Sequence, residues 1–328
     1  MGSAHVDLAP RTALLPRALT PTVMTRWAPH PVTLRQLQYV LAVAEHRNFR
    51  RAAAACAVAQ PSLSTQIAQL ESALGVILFE RLTRGVVVTA AGEAFLERAR
   101  RVLMDADDLV ATVELSRDPL AATLRIGVIP TVAPYLLPEL APVLHAEFPR
   151  LQLLWIEEKT RDLVTRIESG DLDAGILAVE SELGDLDYEP LGRDAFFLTV
   201  PRGHRLARNK APARLEELEG ETVLLLDDGH CFREQALAVC HRAAAGEASM
   251  RATSLSTLAQ MVAGGTAITL LPRISLKTEN RARALVARAF GPRGPFRTLA
   301  LAWRKTTPSI PALRALAQTM RDVVSRHA

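Results

Sequence analysis

Between Leu34 and Leu74 the apolar residues keep a helical period that is broken twice, and no other stretch restricts the possible folds so tightly. Leu34, Leu37, Val40, Leu41 and Ala44 fall on one face of a first helix. His46-Arg47-Asn48 interrupts it, and a second, short helix carries Phe49, Ala52, Ala53 and Cys56 at i, i+3, i+4 and i+7. A turn over residues 57–60 leads to Pro61, which suits the first turn of a third helix. Leu63, Ile67, Leu70 and Leu74 form the inner face of that helix, and Ser62, Ser64, Thr65 and Gln69 point the other way. Gly75 ends it. The run VILFERLTRGVVVT then gives two extended segments around Thr83-Arg84-Gly85, a β-hairpin. Three helices and a basic hairpin in this order predict a winged helix-turn-helix.

The chemistry of such a unit is binding to double-stranded DNA. A helix fits the major groove, and Ser, Thr and Gln side chains can bond base edges and phosphates. The face expected to read DNA is Gln60, Pro61, Ser62, Ser64, Thr65 and Gln69. That helix carries no basic residue, so phosphate anchoring falls to its flanks: Arg50 and Arg51 before it, Arg81 and Arg84 at the hairpin. Few anchors per subunit imply weak binding per subunit and a need for oligomers. The plainer alternative is a three-helix packing unit with a solvated polar face. Charge distribution favours the first reading. Residues 1–32 sum to +2 and residues 33–92 to +3, leaving the remainder at −1 of a net +4.

Residues 1–32 show no periodicity and read as a disordered extension, with Val32 a candidate start of the natural chain. Thr89 can cap a long helix over residues 90–116, with Glu93 in its first turn. Leu96, Ala99, Leu103, Ala106, Val110 and Val113 recur there at spacings of three and four, the seam of a short coiled coil. After Arg117-Asp118-Pro119, strand and helix signals alternate. TLRIGVI, LQLLWIEE, AGILAV, AFFLTVP, TVLLLDD, ITLLP and TLALAWR read as strands of an α/β domain with a parallel sheet. No apolar run reaches the ~18 residues of a membrane span, and no secretory leader is evident, so a cytoplasmic protein is expected. No metal-ligand spacing, phosphate loop or nucleophile elbow appears, so neither metal nor cofactor is expected.

The stretch FRRAAAACAVAQPSLSTQIAQLESALGVILFERLTRGVVVTAAG resembles the DNA-binding domain of LysR-type transcriptional regulators. The resemblance implies a winged helix-turn-helix, a dimerising linker helix and a two-lobed α/β regulatory domain like a periplasmic binding protein. Ala59 departs from the pattern, which usually has Ser there; a helix cap or phosphate contact is lost. The implied boundaries are 33–92 for the DNA-binding domain and 93–118 for the linker helix. One lobe is 119–193 with 300–328, and the other is 194–299. Within the family, LLLDDGHCFREQALAVC, IGVIPTVAPYLLP and RATSLSTLAQMVAGGTAITLLP resemble the hydrogen-peroxide-sensing, OxyR-type branch. Carried over by position, Cys231 matches the peroxide-reacting cysteine and Cys240 the resolving one. Thr131, Thr160, His230 and Arg297 match polar residues around the peroxide pocket. A dimer of dimers, RNA polymerase, and glutathione or a glutaredoxin as reductant are the further partners this reading brings.

The residues bear on this independently. A thiolate is favoured at a helix start and near positive charge, and Cys231 follows Gly229-His230 with Arg233 two residues on; Asp227 and Asp228 oppose it. If 231–240 is one helix, its thiols stand ~13 Å apart along the axis and about two and a half turns around it. A disulfide needs Cα atoms within ~7 Å, so the bond requires the segment to unwind or bend. The plainer readings are that Cys240 and Cys56 are core residues, His230 a turn residue and Thr131 a helix cap. Two other functions compete: a LysR-type regulator answering to a small organic effector, its cysteines incidental, and a thiol peroxidase.

Overall fold

A computed structural model describes residues 29–82, 85–118 and 120–326. The expected disordered extension lies almost wholly outside these residues. The chain divides into two compact units, residues 1–96 and 97–328.

The first unit is built of α1 (Leu34–His46), α2 (Phe49–Ala55), α3 (Gln60–Leu74), β1 (Phe79–Leu82), β2 (Gly85–Val88) and the start of α4 (Ala90–Arg117). Each helix start has a local cause. Thr33 and Gln36 form a capping box, Asn48 accepts from the backbone N–H of Arg50 and Arg51, and Thr89 accepts from Gly92. α3 has Pro61 in its first turn, and its cap Ala59 makes no side-chain bond, which is the consequence expected of alanine there. Leu63, Ile67 and Leu70 are fully buried against Val40, Val43, Ala52 and Phe79. The inner face of α1 differs from expectation. Gln36, Leu37, Tyr39, Val40 and Val43 are buried, while Leu34, in the uncovered first turn, is exposed and Leu41 and Ala44 are half-buried. Cys56, expected in the core, is also half-buried, because α2 ends one residue before it. β1 and β2 pair antiparallel, Phe79 opposite Val88, and the Glu71 carboxylate accepts from the backbone of Leu78 and Phe79 to hold the hairpin on α3.

The second unit holds the remainder of α4 and a seven-stranded sheet. Its strands are β3 (Thr123–Val128), β4 (Gln152–Glu157), β5 (Ala174–Ala178), β6 (Leu186–Pro201), β9 (Thr269–Pro272), β10 (Leu285–Ala289) and β11 (Phe296–Arg304). The order is β10-β6-β11-β5-β3-β4, with β9 also on β6. A separate parallel pair is β7 (Thr222–Leu226) with β8 (Gly246–Ala252). The helices are α5 (Ala133–Glu147), α6 (Thr160–Glu168), α7 (Cys231–Arg242), α8 (Leu255–Ala263), α9 (Arg273–Glu279) and α10 (Ile310–Ser325). The sheet is mixed rather than parallel. β3 runs parallel to β4 and β5, but β11 is antiparallel to β5 and β6, and β6 to β9 and β10. Every antiparallel pairing in this sheet involves β6 or β11, long strands that run against each other and against β5, β9 and β10. β6 pairs with β11 as far as Ala195 opposite Phe296, and from Phe196 onward with β9 and β10. No helix among the described residues is long and apolar enough to cross a membrane.

Candidate redox site and DNA-binding face

Both buried thiols lie on one helix. α7 is continuous from Cys231, its first residue, to Arg242, and contains Cys240. Nine residues of α-helix separate the two sulfurs by about 13 Å along the axis and place them on opposite faces. The turn before α7 is tight. Gly229 has φ +86°, and the side chain of Lys159 stands 3.1 Å from where a Cβ would be. Lys159, just ahead of α6, also donates to the Asp228 carbonyl at 2.8 Å. This contact brings the first turn of α6, and with it Thr160, to the loop that enters α7. Thr160 is buried, and its hydroxyl has no partner among the described residues.

Arg297 approaches from the other side. It is fully buried, donates to the Thr131 hydroxyl at 2.7 Å and the Thr131 carbonyl at 3.0 Å, and pairs with Asp194 at 2.9 Å. Asp194 is opposite Arg297 in the β6–β11 register, and its other oxygen accepts from the Ile274 backbone. The Thr131 hydroxyl therefore serves Arg297, while the helix cap position of α5 is Val132. The guanidinium carbon of Arg297 is 5.5 Å from the ring centre of Phe232, which meets Phe196 edge-on at 4.9 Å. Arg297, Thr131 and Asp194 are thus joined to the residue after Cys231. His230, at the cap position of α7, is buried; burial first, and then the charge of Lys159, hold its imidazole below the ordinary value.

Arg233 does not play the part its sequence position suggests. Its guanidinium is consumed by Asp228 at 2.9 Å and by both oxygens of Glu247 at 2.8 and 3.2 Å, and Arg251 completes the network on Asp228 at 2.6 Å. The charge expected to favour a Cys231 thiolate is neutralised, and the network instead fastens α7 to β8. Cys240 is packed with Val239 and Ala236 in the core, and burial pushes its thiol up to about 11. One turn on from Cys231, both polar atoms of the Gln235 amide are buried without a partner among the described residues. Sequence reasoning missed Gln235, Lys159, Asp194 and Glu247. An unbranched amide four residues after the cysteine was a usable signal; the other three are placed by long-range packing alone.

On the first unit, Gln60, Pro61, Ser62, Thr65 and Gln69 are exposed along one face of α3, and Arg50 and Arg51 are exposed on α2. Arg81 is folded back. It donates to Ser64 at 2.8 Å and stacks over Phe49 at 4.2 Å, tying the hairpin to α3. Arg84 lies outside the described residues.

Residues 34–93 match the bacterial regulatory helix-turn-helix protein of the lysR family, and residues 117–325 match the LysR substrate binding domain. The chain belongs to the LysR family. Within the family it falls in the OxyR branch. It is 41% identical over 292 residues to the hydrogen peroxide-inducible genes activator of Pectobacterium carotovorum, covering 89% of this chain and 96% of that one. It is similar to full-length OxyR from Pseudomonas aeruginosa, with TM-score 0.73, 35% identity and coverage of 89% of this chain and 96% of that one. A peroxide-bound OxyR variant from Corynebacterium glutamicum gives TM-score 0.62 and 31% identity over 91% of this chain and 94% of that one. The relatives are named as hydrogen peroxide-inducible activators and OxyR proteins, so neither the small-effector reading nor the peroxidase reading is favoured for this LysR-family chain.

Proposed function

We propose that this LysR-family regulator senses hydrogen peroxide through Cys231 and passes the signal on as a Cys231–Cys240 disulfide. The observation that carries the reading is the buried Arg297–Thr131 fork set beside the start of a helix that holds both thiols. The Cys231 sulfur attacks one peroxide oxygen; an S–O bond forms, the O–O bond breaks, and the departing oxygen takes a proton and leaves as water. The Thr160 hydroxyl, and the Thr131 hydroxyl that Arg297 holds in place, supply donors toward that oxygen, and the unpartnered groups of Thr160 and Gln235 suit a small polar molecule. His230, held neutral, closes the pocket. The Cys240 sulfur then attacks the sulfenic sulfur, its thiol proton leaves with the hydroxyl as a second water, and the disulfide forms. That last step requires α7 to come apart, because its geometry holds the thiols far beyond bonding distance. Two glutathione thiols, or a glutaredoxin, reverse it.

The readout is double-stranded DNA, bound by α3 with Arg50, Arg51 and the hairpin arginines as phosphate anchors. Subunits associate along α4. Its exposed large apolar residues are Val102, Leu109, Val110 and Val113; of the expected seam only Val110 and Val113 are among them, since Leu96 is consumed in the core of the first unit and Ala99 is buried. A dimer of dimers, contact with RNA polymerase and a cytoplasmic location complete the reading. The domain limits expected from sequence serve it: 33–92 reads DNA, 93–118 dimerises, and 119–193 with 300–328 forms the lobe that faces the redox-bearing 194–299. Footprinting on the protein's own promoter, reduced against oxidised, tests it together with peptide mapping of the oxidised chain. A Cys231–Cys240 linked peptide and a changed footprint are expected, both lost in Cys231→Ser. An unlinked pair, or a variant that still responds, overturns the reading.

A further inference from the structure

The strands that carry Arg297 and Asp194 have a second face. Neighbouring residues of a strand point to opposite sides. Asp194, Phe196 and Arg297 face the redox helix, as their bonds and ring contacts show. Arg193, Phe197 and Phe296 therefore face away from it. Toward that side opens a cavity of about 330 Å³, lined by these three residues together with Arg273, Phe290 and the turn at Gly294, and reached by Phe196 from the strand itself. Its size is within the range of small-molecule pockets. The turn is closely built: a Cβ on Gly294 would meet the Phe290 Cβ at 2.4 Å.

The lining is chemically one-sided. Four phenylalanines (Phe196, Phe197, Phe290 and Phe296) supply the apolar wall, two arginines supply charge, and no carboxylate lines the cavity. Arg193 stacks its guanidinium on the Phe296 ring at 3.5 Å, which leaves the N–H edge of that plane open to a ligand. Arg193 and Arg273 are both exposed, and neither makes an ion pair among the described residues, so both guanidinium groups are free to meet a ligand. A planar apolar body with a single carboxylate satisfies all of these groups: ring against ring, carboxylate against the guanidinium fork.

We infer that this cavity is a binding site for a small aromatic carboxylate, separate from the redox pocket and back to back with it across β6 and β11. The site does not depend on the peroxide reading, because its residues bind without any change at sulfur. Benzoate is the probe, titrated into the reduced full-length chain by calorimetry and by ligand-observed NMR, with benzamide as the uncharged analogue of the same shape. Saturable binding of one benzoate per chain is expected, at least tenfold weaker for benzamide. Affinity falls several-fold in Arg193→Gln and in Arg273→Gln, and binding is unchanged in Cys231→Ser. Equal affinity for benzoate and benzamide, binding that survives the double arginine substitution, or no saturable binding of benzoate overturns the inference. The comparison of the two probes on the unaltered chain keeps the test independent of how the variants fold.

Discussion

Replacing Glu247 by glutamine tests whether α7 is the mechanical element of the switch. Both carboxylate oxygens of Glu247 take hydrogen bonds from Arg233, and Arg251 stands 3.4 Å away. Charge-assisted bonds of this kind contribute roughly 1.5–3 kcal/mol. Glutamine keeps one acceptor, and the Glu247 side chain is 28% exposed, so a loss of about 1–2 kcal/mol follows for the reduced fold. If the disulfide form has no intact α7, the network contributes nothing there, and the whole loss falls on the reduced side. Oxidation then becomes easier, and the potential moves negative by roughly 20–40 mV, at ~30 mV per 1.4 kcal/mol for a two-electron couple. The assay is a titration in glutathione buffers, with free thiols alkylated and the linked peptide quantified. A variant that loses this much stability in urea yet keeps its potential refutes the reasoning, because the network would then survive in the oxidised form.

Four other outcomes follow from the geometry. Arg297→Met strands the buried Asp194 carboxylate and should cost about 3–5 kcal/mol in chemical unfolding of the reduced chain. His230 is held below its ordinary value, so it destabilises the fold only as it is forced to take a proton. Stability should fall as pH drops below about 6.5, and His230→Gln should flatten that part of the pH–stability curve between pH 7 and 5. Arg50→Ala and Arg51→Ala should each weaken DNA binding across unrelated sequences and reduce the salt slope by about 1, measured by anisotropy at several salt concentrations. Cys240→Ser should let peroxide accumulate as sulfenic acid on Cys231, trapped by a dimedone label; labelling no greater than in the unaltered chain would count against Cys240 as the resolving thiol.

What was legible in the chain was what local physics decides. The α3 inner face Leu63, Ile67, Leu70 follows from a 3.6-residue period, and the continuity of α7 from its helical pattern between two cysteines. What sequence could not show was long-range. Asp194 meets Arg297 only because β6 and β11 align antiparallel, and these strands were hidden in part: the first half of β6, DYEPLGRD, is too charged to read as a strand. β8, GEASMRA, is exposed for most of its length and has no apolar alternation, so Glu247 and Arg251 had no visible element to sit on. The misreading of Arg233 has the same origin. Two residues from Cys231 in sequence, it looked like a source of positive charge, but its neighbours in space are the carboxylates of Asp228, five residues before it, and of Glu247, fourteen residues on in β8.

The two thiols are set unequally by the same helix. Cys231 begins α7 beside a glycine turn, the buried His230 and the unpartnered Thr160 hydroxyl, with the unpartnered Gln235 amide one turn on. Cys240 lies near the far end, in the core, with its thiol pushed up to about 11 by burial. At neutral pH it is fully protonated where it stands, and a protonated thiol is a poor nucleophile. On the proposed mechanism, unwinding α7 does two things at once: it closes the ~13 Å gap set by helical geometry, and it carries Cys240 from the core into water, where its proton can leave. Resistance to unwinding comes from Phe232 against Phe196 and from Arg233 on Glu247 and Asp228. Chemistry at Cys231 and the packing of α7 are thus opposed terms of one equilibrium, and the strength of the packing sets how oxidising the surroundings must be before the helix yields.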